Sequence, residues 1–295
     1  MTRLTAQDFQ PEVLQLFDRY VHGDLSRRGF LDQATRFAGS PAAAAALLAA
    51  LSPQFVAAQV VAPNDPRIAT RRASFESPQG HGTVQGLLAR PMQPAGRLPA
   101  VLVVHENRGL NPHIEDITRR LAVDVFVAFA PDALDGYGGY PGNEDDARAA
   151  FAKVDQAKAR ADFVAAARVL RTLPESTGKV GVVGFCYGGG MANYLATQLP
   201  ELAAAVPFYG GHPPAADVSK IMAPLLIHYA SDDPRINAAW PAYEEALKAA
   251  GKRYAAHIYP NTQHGFNNDT TPRFDAAAAK LAWERTLAFF RQHLA

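Results

Sequence analysis

One cysteine, one loop histidine and a pair of aspartates carry the most legible chemistry in this chain. Cys186 is the single cysteine of 295 residues and lies in Gly184-Phe185-Cys186-Tyr187-Gly188. Glycines two before and two after a nucleophile remove the Cβ atoms that would clash where a strained turn crowds the backbone. The motif falls between an apolar run at 179–185 and a helical stretch at 187–198, so the thiol is expected at a strand-to-helix turn. The N-terminus of that helix would point free N–H groups at the sulfur and favour thiolate over thiol. A free cysteine is most often a small buried hydrophobe; the glycine offsets in this setting favour a nucleophile instead. No Lys-Ser or Lys-Thr follows the glycines, which excludes a phosphate-binding loop of the Walker type.

A thiol nucleophile needs a base, and the base needs a group that orients it. Of the histidines after Cys186, His228 and His257 fall inside strand patterns and His293 in a terminal helix, whereas His264 follows the last strand pattern in a loop. His264 is therefore the expected base. The acid is expected after the preceding strand, where Ser231-Asp232-Asp233-Pro234 offers two candidates. Asp233 is favoured because it lies deeper in the loop and precedes a turn-setting proline; Asp232 is the alternative. After another apolar run come His105-Glu106-Asn107-Arg108. The backbone N–H of Asn107 and that of Tyr187 are the expected oxyanion donors. Glu106 beside them is expected in the active site. No second histidine follows His105 at the zincin spacing, and no metal or other cofactor is expected.

The elements that must hold these groups follow from hydrophobic period. Strand patterns occupy 73–77, 83–89, 99–105, 123–130, 179–185, 203–209, 224–230 and 253–259. Helical patterns occupy 115–122, 145–170 (in one or two pieces), 187–198, 237–250 and 276–290, the last with Leu281, Leu287 and Phe290 at core spacing. Alternation of this kind predicts an α/β fold: a mostly parallel central sheet with helices on both faces, as in the α/β-hydrolases, with the site beyond the carboxyl ends of the strands. Composition agrees, with 48% hydrophobic and 19% charged residues. A net charge of +1 and no basic aromatic stripe give no sign of a nucleic-acid partner. One cysteine excludes an internal disulfide and a cysteine-based structural zinc site.

Residues 1–58 form a separate unit ahead of the domain at 59–295. Ser26-Arg27-Arg28-Gly29-Phe30-Leu31 has the form of a twin-arginine export motif. An Ala/Leu run at 42–51 and small residues at Val56-Ala57-Ala58 complete a signal, with a cut expected before Gln59 and a periplasmic enzyme as the result. The alternative is a retained segment in the cytoplasm: Val13, Leu14, Leu16 and Phe17 share one helical face and would pack on the domain. Ser40, Pro41, Ser52 and Pro53 interrupt the apolar run, so no stable membrane anchor is expected.

Residues 70–295 resemble the dienelactone hydrolase family, through HENRGLN at 105–111, GKVGVVGFCYGGG at 178–190 and the Asp233 and His264 loops. The resemblance implies a Cys186-Asp233-His264 triad working without a metal on an ester or enol-lactone bond. It also implies that Glu106 restrains the thiol until substrate binds. Where the family binds a substrate carboxylate with an arginine four residues beyond the triad histidine, this chain has Asn268. Arg108, Tyr140 and Arg148 are the other candidate substrate contacts. The expected partner is a small ester or lactone, and the chain a monomer or homodimer. A broad carboxylesterase or thioesterase is the neighbouring reading, and a redox sensor using Cys186 the non-catalytic one.

Overall fold

The structure, a computed structural model, describes residues 3–295. The chain opens with four helices: α1 (Pro11–His22), α2 (Arg27–Ala38), α3 (Pro41–Leu51) and the short α4 (Phe55–Ala58). Local signals set their ends. Pro11 and Pro41 occupy first helical positions, the Ser26 and Ser40 side chains accept from Gly29 and Ala43 N–H groups, and Gly23 closes α1 at φ 90°. Val13, Leu14, Phe17, Tyr20, Phe30 and Leu48 bury one another in a cluster separate from the main core. The window Pro41–Ala58 is long and apolar enough to cross a membrane by composition, but the chain leaves the helix at Ser52 and resumes at Phe55.

An eight-stranded sheet follows, with β1 (Ile68–Ser77), β2 (Gly82–Pro91), β3 (Leu98–Val104), α5 (Pro112–Val123), β4 (Val127–Pro131), α6 (Glu144–Phe151), α7 (Gln156–Thr172) and β5 (Ser176–Phe185). Then come α8 (Tyr187–Gln198), β6 (Ala204–Phe208), α9 (Ala215–Val218), β7 (Leu225–Asp232), α10 (Pro234–Asn237), α11 (Trp240–Ala249), β8 (Tyr254–Gln263) and α12 (Ala276–Leu294). Strand order is β1-β2-β4-β3-β5-β6-β7-β8. β1–β2 and β2–β4 pair antiparallel, and every other pair is parallel. Ile114, Leu121 and Phe290 from α5 and α12 cover one face, while Leu170, Leu195 and Leu247 from α7, α8 and α11 cover the other. The chain has the α/β-hydrolase fold expected from its alternating pattern.

Some boundaries moved for local reasons. The strand expected from residue 123 starts at Val127, because α5 runs on through Val123 and the chain then turns at Val125 with φ 71°. The helix expected at 237–250 starts at Trp240 as α11, and the separate short helix α10 ends at Asn237. The last strand runs on to Gln263, four residues beyond the expected end. Leu281 is 43% exposed rather than in the core. In α12 the inward stripe is Ala279, Ala282, Thr286 and Phe290, and Leu281 lies about 100° around the helix from Ala282.

Candidate active site

Cys186 sits where β5 ends and α8 begins, with φ 55° and ψ −111°. That left-handed turn lifts the thiol clear of the sheet, and it demands glycine beside it. A Cβ on Gly184 would lie 1.9 Å from the Gly188 carbonyl oxygen, and one on Gly188 would lie 2.2 Å from the Val104 carbonyl oxygen. The thiol therefore stands at the carboxyl edge of the parallel strands, at the N-terminus of a 12-residue helix.

Sheet register brings the acid to the histidine. Asp232 on β7 pairs with Gln263 on β8, so the next residue of each strand, Asp233 and His264, emerges beside the other. His264 Nδ1 lies 2.6 Å from Asp233 Oδ2, and both residues are buried. Asp233 also caps α10, accepting from Ile236 N–H at 3.4 Å. Asp232 is exposed. An Nδ1 facing a carboxylate carries the proton, which leaves Nε2 as the titrating nitrogen. Cys186 Sγ and a ring nitrogen of His264 belong to a group of three side-chain atoms lying within 4.8 Å of one another.

The third member of that group is His22, the last residue of α1. Its Nε2 is 3.5 Å from Cys186 Sγ and 3.3 Å from His264 Nε2. Its Nδ1 lies 2.7 Å from the Asp18 carbonyl oxygen and 3.3 Å from the Asp18 carboxylate. The Arg235 guanidinium on α10 approaches His22 Nε2 at 2.9 Å and His264 Nδ1 at 3.3 Å. Neither His22 nor Asp18 was among the sequence candidates. Their i, i+4 spacing at the end of a helical pattern closed by Gly23 was the available signal, but nothing in it points to Cys186.

Burial alone would push the Cys186 thiol up, but the charges of His264 and His22 and their hydrogen bonds bring it down to about 5. Burial works against charge on His22, and the facing thiolate and Asp18 outweigh it, so its pKa rises. His264 is raised in the same way, against its burial, by Cys186 and Asp233.

The remaining sequence candidates divide. Glu106 accepts from Asn268 Nδ2 at 2.9 Å. Arg108 is buried, donating to Asn107 Oδ1 at 2.6 Å and Val21 O at 2.9 Å and pairing with Glu144 at 3.3 Å. Tyr140 donates to Glu144 Oε1 at 3.0 Å. Glu106, Asn107, Arg108, Tyr140 and Asn268 all line a cavity of about 400 Å³ beside Cys186. Arg148 lies outside that lining; its guanidinium donates to the Tyr20 carbonyl and stacks 4.2 Å above the Tyr20 ring. A second cavity, of about 550 Å³ and bordered by Tyr187, Met191 and His212, also reaches Cys186. Cys186, His22 and Asn107 border both.

Residues 84–294 match the sequence profile of the dienelactone hydrolase family. The chain belongs to that family. It is accordingly a hydrolase of the carboxylic-ester class. Residues 1–39 separately match a profile described as YqhI-like. A putative carboxymethylenebutenolidase of Escherichia coli K12 is 33% identical over 220 residues, 70% of this chain and 81% of the relative. A putative hydrolase fragment of the same organism, YghX, is 48% identical over 112 residues, 38% of this chain and 96% of the fragment. The crystal structure of a putative dienelactone hydrolase from Klebsiella pneumoniae superposes with a TM-score of 0.67 at 28% identity. It accounts for 76% of this chain and 99% of that one.

Proposed function

We propose that this hydrolase cleaves esters or lactones by covalent catalysis, with Cys186 as nucleophile, His264 as proton carrier and Asp233 as the group that orients it. The observation that carries the reading is the 2.6 Å His264–Asp233 bond beside a thiol raised on a strained strand-to-helix turn. The Cys186 thiolate attacks the carbonyl carbon, and the C=O π electrons move to oxygen. The N–H groups of Asn107 and Tyr187 receive that oxyanion, each worth about 3–4 kcal/mol in comparable sites. Collapse breaks the C–O bond, and the alkoxide leaves with the Nε2 proton of His264. Water then attacks the thioester, His264 takes its proton, and the thiolate departs from the carboxylic acid.

The two cavities meeting at Cys186 suit an ester with substantial groups on both sides of the carbonyl. Glu106, held by Asn268 in the wall of the cavity beside Cys186, would act through the shape and charge of that cavity. Retention of residues 1–58 is the fate we propose for the N-terminal segment, because a cut before Gln59 would remove His22 from the thiol. Intact mass of the native protein tests retention. For the activity, rates on a panel of lactones, p-nitrophenyl esters and thioesters are measured beside mass spectrometry of quenched enzyme. An acyl adduct on Cys186 at steady state is expected; turnover of the whole panel at buffer rates would end the hydrolase reading.

A further inference from the structure

We propose that His22 is a second catalytic residue, its Nε2 serving as an alternative seat for the one proton that Cys186 and His264 exchange with substrate. This rests on the hydrolase reading and adds a residue from outside the hydrolase domain to its chemistry.

The first argument is tautomeric. His22 Nδ1 faces only acceptors, the Asp18 carbonyl at 2.7 Å and the Asp18 carboxylate at 3.3 Å, so Nδ1 holds its proton in either charge state. Nε2 is left to titrate, and it points at the sulfur. At His264 the closer contact, Asp233 at 2.6 Å, fixes the proton on Nδ1, with the Arg235 guanidinium further off at 3.3 Å. Two imidazoles, each fixed by its own aspartate, present Nε2 atoms 3.3 Å apart beside one thiol. At that separation one nitrogen donates and the other accepts, so the pair holds one proton between two seats.

The second argument is that His22 has a partner in each state. Protonated, Nε2 donates to the thiolate at 3.5 Å. Unprotonated, it accepts from Arg235 at 2.9 Å. A group that carries protons must be solvated by its surroundings both before and after transfer, and the two contacts provide that. Helix ends add to it. His22 closes the C-terminus of α1, where partial negative charge favours imidazolium, and Cys186 opens α8, where partial positive charge favours thiolate. Around them stand Asp18 on α1, Arg273 paired with Asp18 at 3.3 Å, Arg235 on α10, and Asp233 behind His264. Glu106 and Arg108 line the cavity beyond.

The proton balance closes. At rest the thiolate is opposite one imidazolium proton shared by the two Nε2 atoms. Acylation moves that proton to the leaving alkoxide and leaves both Nε2 atoms as acceptors. In deacylation one of them takes a proton from the attacking water while the thiolate is expelled, which restores the starting state. His22 borders both cavities, so it reaches a leaving group on the side that His264 alone would serve less directly.

The test uses the full chain carrying His22→Gln, and separately Asp18→Asn, which keeps the imidazole and loses its anchor. Iodoacetamide alkylation of Cys186 is followed against pH, beside kcat and KM on a p-nitrophenyl ester. In the unchanged chain alkylation should persist down to about pH 5. In His22→Gln its midpoint should rise by about one pH unit or more, and kcat should fall roughly 10²-fold with KM little changed. Asp18→Asn should move the same midpoint in the same direction. A His22→Gln midpoint and kcat equal to those of the unchanged chain would overturn the proposal. Should His22→Gln fail to fold, the Asp18→Asn midpoint decides in the same way. Alkylation needs no ester turnover, so an unchanged chain inactive on esters would end the hydrolase reading while His22 was still decided by its midpoint.

Discussion

The two histidine–aspartate pairs at Cys186 are built by different physics. His264 and Asp233 are 31 residues apart in sequence and meet because parallel strands β7 and β8, after a register shift between Ala230 and Asp232, end side by side at Asp232 and Gln263. Their placement is as firm as the sheet. His22 and Asp18 lie one turn apart on α1, so their mutual geometry is local. Their approach to the thiol depends on a small helical cluster docking on the domain. Val21 O accepts from Asn107 and Arg108 at 3.0 and 2.9 Å, and Arg27 pairs with Asp145 at 2.7 Å to hold that dock. One pair is thus integral to the core and the other is delivered by an appended segment, so the second can be weakened without touching the first.

Three substitutions probe that contrast. Cys186→Ala removes what both pairs act on, and ester hydrolysis should fall by at least roughly 10⁴-fold with thermal stability near that of the unchanged chain. Residual turnover close to normal would mean that neither pair serves this thiol. Asp233→Asn breaks the sheet-built pair, and kcat should fall roughly 10²- to 10⁴-fold. Asp232→Asn, at an exposed position, serves as its comparison. A larger loss from Asp232→Asn than from Asp233→Asn would return the orienting role to Asp232.

Phe30→Ala acts only on the delivered pair. Phe30 is fully buried in the helical cluster, and its truncation should destabilise that cluster by about 3–5 kcal/mol. Faster hydrogen exchange confined to α1–α3, with a smaller loss of activity than Asp233→Asn produces, is the expected outcome. Faster exchange spreading equally through β5 and β6 would show that the segment and the domain unfold as one unit.

Much of the hydrolase domain was legible because its signals are local. Apolar runs of 4–8 residues marked the buried strands, and the glycines around Cys186 marked the elbow, since only glycine fits 1.9 Å from a facing carbonyl. Asp233 was preferred over Asp232 on loop position; the structure adds the reason, which is strand register. Leu281 was misplaced because a one-residue phase error on a helix rotates a side chain by about 100°. Arg148, a candidate substrate contact from sequence, binds Tyr20 and Asp145, an engagement that depends on where α1 docks.

The first 58 residues read as an export signal or as packed helices from the same letters, because an apolar helical face and a signal core draw on one composition. In the structure α1–α3 share their own buried cluster, and Phe17, Tyr20 and His22 of α1 line the Cys186 cavity.

The sequence by itself determined the alternating fold, the family, the elbow around Cys186 and the candidate partners Asp233 and His264. These follow from period and spacing, which act between neighbours in the chain. Only the tertiary structure decided that Glu106 is held by Asn268 and that α1 brings His22 to the sulfur. Both are contacts between segments more than 150 residues apart. They arise from the docking of preformed surfaces, which leaves no periodic trace in either segment.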